Sequence, residues 1–190
     1  MITVVSGLPR SGTSMMMQML EAGGMEIFTD KIRKPNESNP RGYYEFEPVK
    51  KLDKDTSWVK DAEGCVVKVV AHWLQYLPSE FQYSVIFMER EIAEVLRSQE
   101  KMLEVLGRPD TSSDKIVLAR SFRRHVHLAK NLLERQSNIR TIYVQHRDVI
   151  FDSLHVAENL NTFLGANLDV KRMAAAVEKK LYRQRVSDDS

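Results

Sequence analysis

One cysteine in 190 residues, Cys65, excludes a disulfide framework or a cysteine-based metal site within the chain and fits a reducing compartment. Neither charge sign is in excess: the formal net charge is +2 and the basic residues are scattered, which argues against a nucleic-acid binder or a membrane-surface protein. No apolar run approaches the ~18 residues of a membrane span. The opening MITVVSG has neither a charged leader nor a long apolar stretch, so no secretory signal is read there. Repeats and low-complexity segments are missing too. A single soluble, cytoplasmic domain is expected over residues 1–190, with SDDS as a frayed tail.

What is present alternates between two periodicities. Four apolar runs rich in β-branched residues read as strands: ITVVS at the start, CVVKVVA at 65–71, YSVIFME at 83–89 and IRTIYVQ at 139–145. MEIF at 25–28 is a weaker fifth. The runs are nearly continuous in hydrophobicity, as expected of parallel strands with helices on both faces. Helical patterns start near Thr13, stopping at Gly23-Gly24, and near Glu91, stopping at Gly107. Others run from about Asp114 to Arg135, up to Leu164-Gly165, and from Asp169 along DVKRMAAAVEKKLYRQR, while RPDTSSD at 108–114 is a loop with capping residues. The fold class is α/β, a three-layer α/β/α arrangement on a mostly parallel sheet of four or five strands, with ligands at the carboxyl ends of the strands. Residues 29–64, rich in Pro, Asn, Glu and aromatics, lack periodicity and are expected to form an acceptor-side binding loop or lid.

The chemistry is concentrated in residues 4–20, VVSGLPRSGTSMMMQML. Gly7-Leu8-Pro9-Arg10-Ser11-Gly12-Thr13-Ser14 has the spacing of a phosphate loop between strand and helix. Its glycines let backbone N–H groups curl around an anion in front of a helix amino end. Thr13 stands where a nucleotide hydrolase carries lysine, and no clear Walker B acid follows; Glu89 is only a weak candidate. A transferred sulfuryl group carries less charge than a γ-phosphoryl and suits backbone amides, hydroxyls and one cation. The bland alternative is an ordinary turn in which Thr13 or Ser14 caps a helix.

PRSGTS after an apolar strand resembles the 5′-phosphosulfate loop of sulfotransferases that use 3′-phosphoadenosine 5′-phosphosulfate (PAPS), which have the nucleotide-kinase-like fold. The resemblance implies that Pro9, Arg10, Ser11, Gly12, Thr13 and Ser14 surround the 5′-phosphosulfate, with Arg10 where many members carry a lysine on the leaving oxygen. The family binds the 3′-phosphate of PAPS with an arginine at a strand end and a serine eight positions on, a spacing that Arg90 and Ser98 reproduce. Arg90 could instead form a helical ion pair with Glu94. His72 is similar to the family's histidine base at the end of the second strand. The lysine usually two positions before it is Val70 here, with Lys68 two further back. Glu45, in NPRGYYEFEP, is the rival base, with Glu47 behind it. Tyr43, Tyr44, Phe46, Trp58, Trp73 and Tyr76 could line an acceptor pocket or belong to the core. No counterpart of the family's later Arg-Lys-Gly nucleotide clamp is found.

MMMQM reads as core filler. Arg123, Arg124 and His127 read as the solvent face of a long helix, and His125 and His127, two apart, do not share a face as metal ligands would. The basic tail, with Lys171, Arg172, Lys179, Lys180, Arg183 and Arg185, faces solvent or closes over a nucleotide. The resemblance implies sulfuryl transfer from PAPS, without a metal, to a hydroxyl or amine of a small-molecule or glycan acceptor. A small-molecule kinase or nucleoside triphosphatase with an aberrant loop, or a non-catalytic nucleotide-binding module, are the alternatives. The sequence is silent on the acceptor and the oligomeric state.

Overall fold

The computed structural model describes residues 1–33, 39, 42–107 and 115–178. Strands β1 (Ile2–Gly7), β2 (Val66–Lys68), β3 (Tyr83–Glu89) and β4 (Ile139–Gln145) form one sheet in the order β2-β1-β3-β4, every pair parallel. The expected fifth strand is reduced to a single parallel bridge between Ile27 and Val66. Helices α1 (Thr13–Ala22), α2 (Ile92–Val105), α3 (Lys115–Arg135), α4 (His146–Phe151), α5 (Ser153–Leu164) and α6 (Val170–Ala175) connect and flank the strands.

Successive residues of a strand point to opposite faces, so β1 and β3 feed two cores. Ile2, Val4, Val85 and Phe87 face a core completed by Val49, Leu52, Trp58, Leu74 and by Ala129 and Leu133 of α3. Val5, Ile86 and Met88 face the other, filled by Met16, Met17, Met19 and Leu20 of α1 with Val156 and Leu160 of α5 and Met173 of α6. This is the three-layer arrangement expected, and the methionine run is core as read.

Two sequence expectations are corrected. The strand expected over 65–71 ends at Lys68. The chain continues through Val69, buried, into a 3-10 helix over Ala71–Tyr76 that also buries Ala71 and Leu74, because apolar content alone does not separate a strand from a buried turn. Among the described residues the last helix covers only Val170–Ala175. The remainder of its expected span, from Lys179, lies outside the described residues, as does RPDTSSD. Within 29–64, short 3-10 helices at Glu47–Lys51 and Val59–Ala62 bury Val49, Val59 and Ala62, and Phe46 packs edge-on to Phe28 and Trp58 at ring-centroid distances of 4.7 and 5.1 Å. Residues 34–38, 40 and 41 of that segment are not described.

Phe87, fully buried in the central strand β3, anchors the first core against α3. Phe87→Ala should lower unfolding stability by about 3–5 kcal/mol. Urea denaturation measures it, and a loss under about 1 kcal/mol would contradict the assignment of Phe87 to a close-packed core.

Candidate functional site

Parallel strands end on one rim of the sheet, and a cavity of about 700 Å³ opens there. Each strand end contributes. β1 runs into the Gly7–Ser14 loop, β2 ends at Lys68, Arg90 follows β3 and His146 follows β4, and all four line the cavity. Pro9, Arg10, Gly12, Thr13, Ser14, Ser98, His72 and Glu45 line it as well, so the residues singled out in the sequence converge, Ser11 excepted. Ser11 is buried, and both its hydroxyl and its backbone N–H donate to the Leu8 carbonyl, at 2.7 and 3.1 Å, which holds the loop's curl.

The loop is sterically tight. A Cβ on Gly7 would lie 2.6 Å from the Met88 carbonyl, and one on Gly12 would lie 2.6 Å from the His146 ring; both residues have positive φ, 140° and 101°. Arg10 also sits at positive φ, 71°, a costly conformation for a non-glycine residue and one found at ligand sites. Gly12, the residue at the amino end of α1, has no side chain with which to cap it, and a helix amino end carries unpaired N–H groups and the positive end of the dipole.

Arg10 Nε donates to Ser98 Oγ at 3.0 Å, and its NH1 lies 4.0 Å from Met102 Sδ. Arg90 forms the helical ion pair with Glu94 at 2.8 Å, both side chains being buried, and also donates to the Arg10 carbonyl at 3.1 Å. Ion pair and cavity position therefore coexist. Arg10, Ser98 and Arg90 form one cluster between the loop and α2. The buried face of α2 accordingly carries Glu94 and Ser98 beside Val95. Burial, with Arg90 and Arg33 nearby, pushes Arg10 below the ordinary arginine value.

On the opposite wall Lys68, 7% exposed, donates to Ser14 Oγ at 3.1 Å and to the Tyr43 carbonyl. Burial lowers its pKa to about 8. Asn39 Nδ2 also donates to Ser14 Oγ, at 3.0 Å. Glu45 is clamped, with Arg33 at 2.5 Å and Lys50 at 3.5 Å, and Arg33 stacks 3.5 Å from the Tyr43 ring centroid. His72 lies on the 3-10 helix after β2, exposed, with its ring 4.8 Å from that of Trp73. Partial burial and then His125 push its pKa below the ordinary value, which keeps it neutral and able to accept a proton near neutral pH. Tyr43, Phe46 and Trp73 line the cavity. Trp58 belongs to the core, Tyr44 turns away to donate to Glu21 at 2.7 Å, and Tyr76 packs on Trp73.

Lys68, noted in the sequence only as standing two positions back from the family's usual lysine, lines the cavity, and so does His146, which was not singled out though it directly follows a strand end.

The whole chain was compared with known proteins. Over 99% of its length it superposes on the sulfotransferase domain from the curacin biosynthetic pathway, with a TM-score of 0.57, 13% identity and 92% of that chain covered. The chain has a sulfotransferase-like fold. A mouse sulfotransferase complexed with PAP matches over 95% of this chain and 63% of its own, with a TM-score of 0.56 and 16% identity. No family profile and no curated protein matches the sequence. In this sulfotransferase-like fold the loop stands at the end of the central strand β1, between the Arg90 and Lys68 walls.

His146 is 7% exposed, and its pKa is lowered to about 4 by burial, then by Arg90. Between that value and the ordinary 6.5 the unfolded chain binds a proton that the folded chain does not. Stability should therefore fall as pH drops through this window, by up to about 3 kcal/mol from this group. Urea midpoints across pH 4–7 measure the slope. His146→Asn should flatten it, and an identical slope in the variant would contradict the account.

Proposed function

We propose that the protein transfers a sulfuryl group from PAPS to a hydroxyl or amine of a small-molecule or glycan acceptor, giving PAP and a sulfated product. The observation that carries this reading is the meeting, in one cavity, of a lysine-free phosphate loop with the Arg90 and Ser98 pair on its α2 side. Six arginines and lysines line that cavity among the described residues, against two glutamates, a balance that favours an anionic ligand. The loop N–H groups of Gly12, Thr13 and Ser14 would hold the 5′-phosphosulfate, with Pro9 shaping the turn and Ser11 bracing it from behind. Arg90 and Ser98 would hold the 3′-phosphate, the feature that distinguishes PAPS from ADP or ATP. The fit rests on this donor set, two groups of anion contacts flanking one loop, and the reading calls for no metal.

In the reaction the acceptor oxygen or nitrogen forms a bond to sulfur as the bridging S–O bond breaks, and PAP leaves with the electron pair. Arg10 would stabilise the charge developing on the leaving oxygen, which requires its guanidinium to swing from Ser98. The acceptor proton goes to His72, neutral and at the cavity wall. Glu45 is the weaker candidate because its carboxylate is already paired with Arg33 and Lys50.

Thermal unfolding tests the donor. PAP at ~100 times its dissociation constant should stabilise the fold by roughly 2.7 kcal/mol, and ADP should do so less. Ser98→Ala should diminish the shift. So should Arg90→Ala combined with Glu94→Gln, which avoids leaving the buried carboxylate unpaired. Stabilisation only by ATP with Mg²⁺ would point to a kinase instead.

Labelled PAPS, screened against alcohols, phenols, amines and glycans, tests the base. With any acceptor found, His72→Ala should lower kcat about 10²–10⁴-fold and Glu45→Gln far less. The reverse order would move the base to Glu45.

A further inference from the structure

The anionic ends of the donor occupy the loop and the Arg90 and Ser98 pair, and they leave one cavity arginine without a role. Arg33 lines the cavity together with Tyr43, Phe46, Val49 and Trp73. Its guanidinium lies 3.5 Å from the Tyr43 ring centroid and donates to Glu45 at 2.5 Å, and its side chain is 36% exposed. That bond uses one of the five N–H donors of a guanidinium. The rest of the fork is available to a bound molecule.

The surrounding chain is built to hold this arginine in place. Thr29 Oγ1 donates to the Glu45 carbonyl at 2.7 Å, and Asp30 accepts from the Ile32 and Glu47 N–H groups at 2.9 and 2.6 Å, which laces residues 29–32 to residues 45–47. Between these ties Lys31 adopts a positive φ of 58°, costly for a residue with a side chain and characteristic of ligand sites. Arg33 follows directly. Its charge also reaches the loop side, where it helps to lower the pKa values of Arg10 and Lys68. An aromatic wall alone would serve a neutral acceptor, whereas a planar fork held across a ring matches a carboxylate, which it can bind through two parallel hydrogen bonds.

We propose that Arg33 is the specificity determinant of the acceptor site, and that the acceptor is an aromatic hydroxyl compound carrying a carboxylate. Its ring packs against Phe46 and Trp73 while Arg33 holds the carboxylate. The proposal rests on the sulfuryl-transfer reading for the reaction, in which the hydroxyl is sulfated and the carboxylate passes through unchanged. The contact between Arg33 and the carboxylate does not depend on that reading.

Titration calorimetry on the PAP-loaded protein tests the contact, with 4-hydroxybenzoate, 4-hydroxyphenylacetate and 3-(4-hydroxyphenyl)propionate compared with their neutral amides. At least one acid should bind wild type about tenfold more tightly than its amide, the scale of one charge-assisted hydrogen bond. Arg33→Met should abolish that preference by weakening the acid, and should leave the amide and PAP within twofold of wild type, which reports an intact site. Glu45 keeps Lys50 as a partner in this variant. Equal affinity of wild type for acid and amide, or binding of neither, would overturn the proposal, and so would a preference for the acid that survives in Arg33→Met. Loss of acid, amide and PAP together would make Arg33 a structural residue only. The sulfuryl-transfer reading fails separately: if wild type does not bind PAP, or binds the acid selectively yet transfers no label from PAPS to it, that reading falls, while the comparison of acid with amide, run without PAP if need be, still decides Arg33.

Discussion

The site depends on a geometric constraint: four parallel strands all end on the same rim. Whatever follows each strand is delivered to one place, and here those residues are a glycine-bearing loop, Lys68, Arg90 and His146. The central position of β1 puts the loop between its neighbours, and the absence of a Cβ at Gly7 and Gly12 lets it lie against Met88 and His146. A side chain on Gly7 would collide with the Met88 carbonyl, and one on Gly12 with the His146 ring. Packing of the two cores thus fixes the site's geometry before any ligand arrives, because α1 carries the loop's far end and is held to the sheet by Met16, Met17, Met19 and Leu20.

The electrostatics follow from that crowding. Converging strand ends bring arginines, lysines and histidines into one partly dry volume, where each disfavours charge on the others. Arg10 and Lys68 are pushed below their ordinary pKa values chiefly by burial, and His146 is held neutral. Groups held in states that water would not choose cluster at functional sites. The protein meets part of the cost internally, with Glu94 on Arg90 and Glu45 between Arg33 and Lys50. An anion placed against the loop offsets more of it. Stability and anion recognition are in this respect the same quantity.

Much of the architecture was legible in the sequence because its signals are local. Continuous apolar runs marked β1, β3 and β4, and glycines marked the ends of α1 and α5. The loop could be read because its spacing carries its own mechanism, whereas Arg90 and Ser98 were singled out through the family resemblance, by an arginine at a strand end and a serine eight positions on. What escaped was non-local. The premature end of β2 depends on how Val69 and Ala71 pack, not on their apolarity. The sequence placed Lys68 only relative to Val70 and His72, and its contacts with Ser14 and Tyr43 come from segments far away in the chain. The segment at 29–64 has no period because its 3-10 turns are held by the Phe28, Phe46 and Trp58 cluster rather than by local pattern.

The most direct test of the central claim is a crystal structure with PAP bound. The account predicts the 5′-phosphate against the N–H groups of Gly12, Thr13 and Ser14 and the 3′-phosphate within hydrogen-bond distance of Arg90 and Ser98. A nucleotide bound with its 3′-phosphate away from Arg90 and Ser98, or bound outside this cavity, would contradict it.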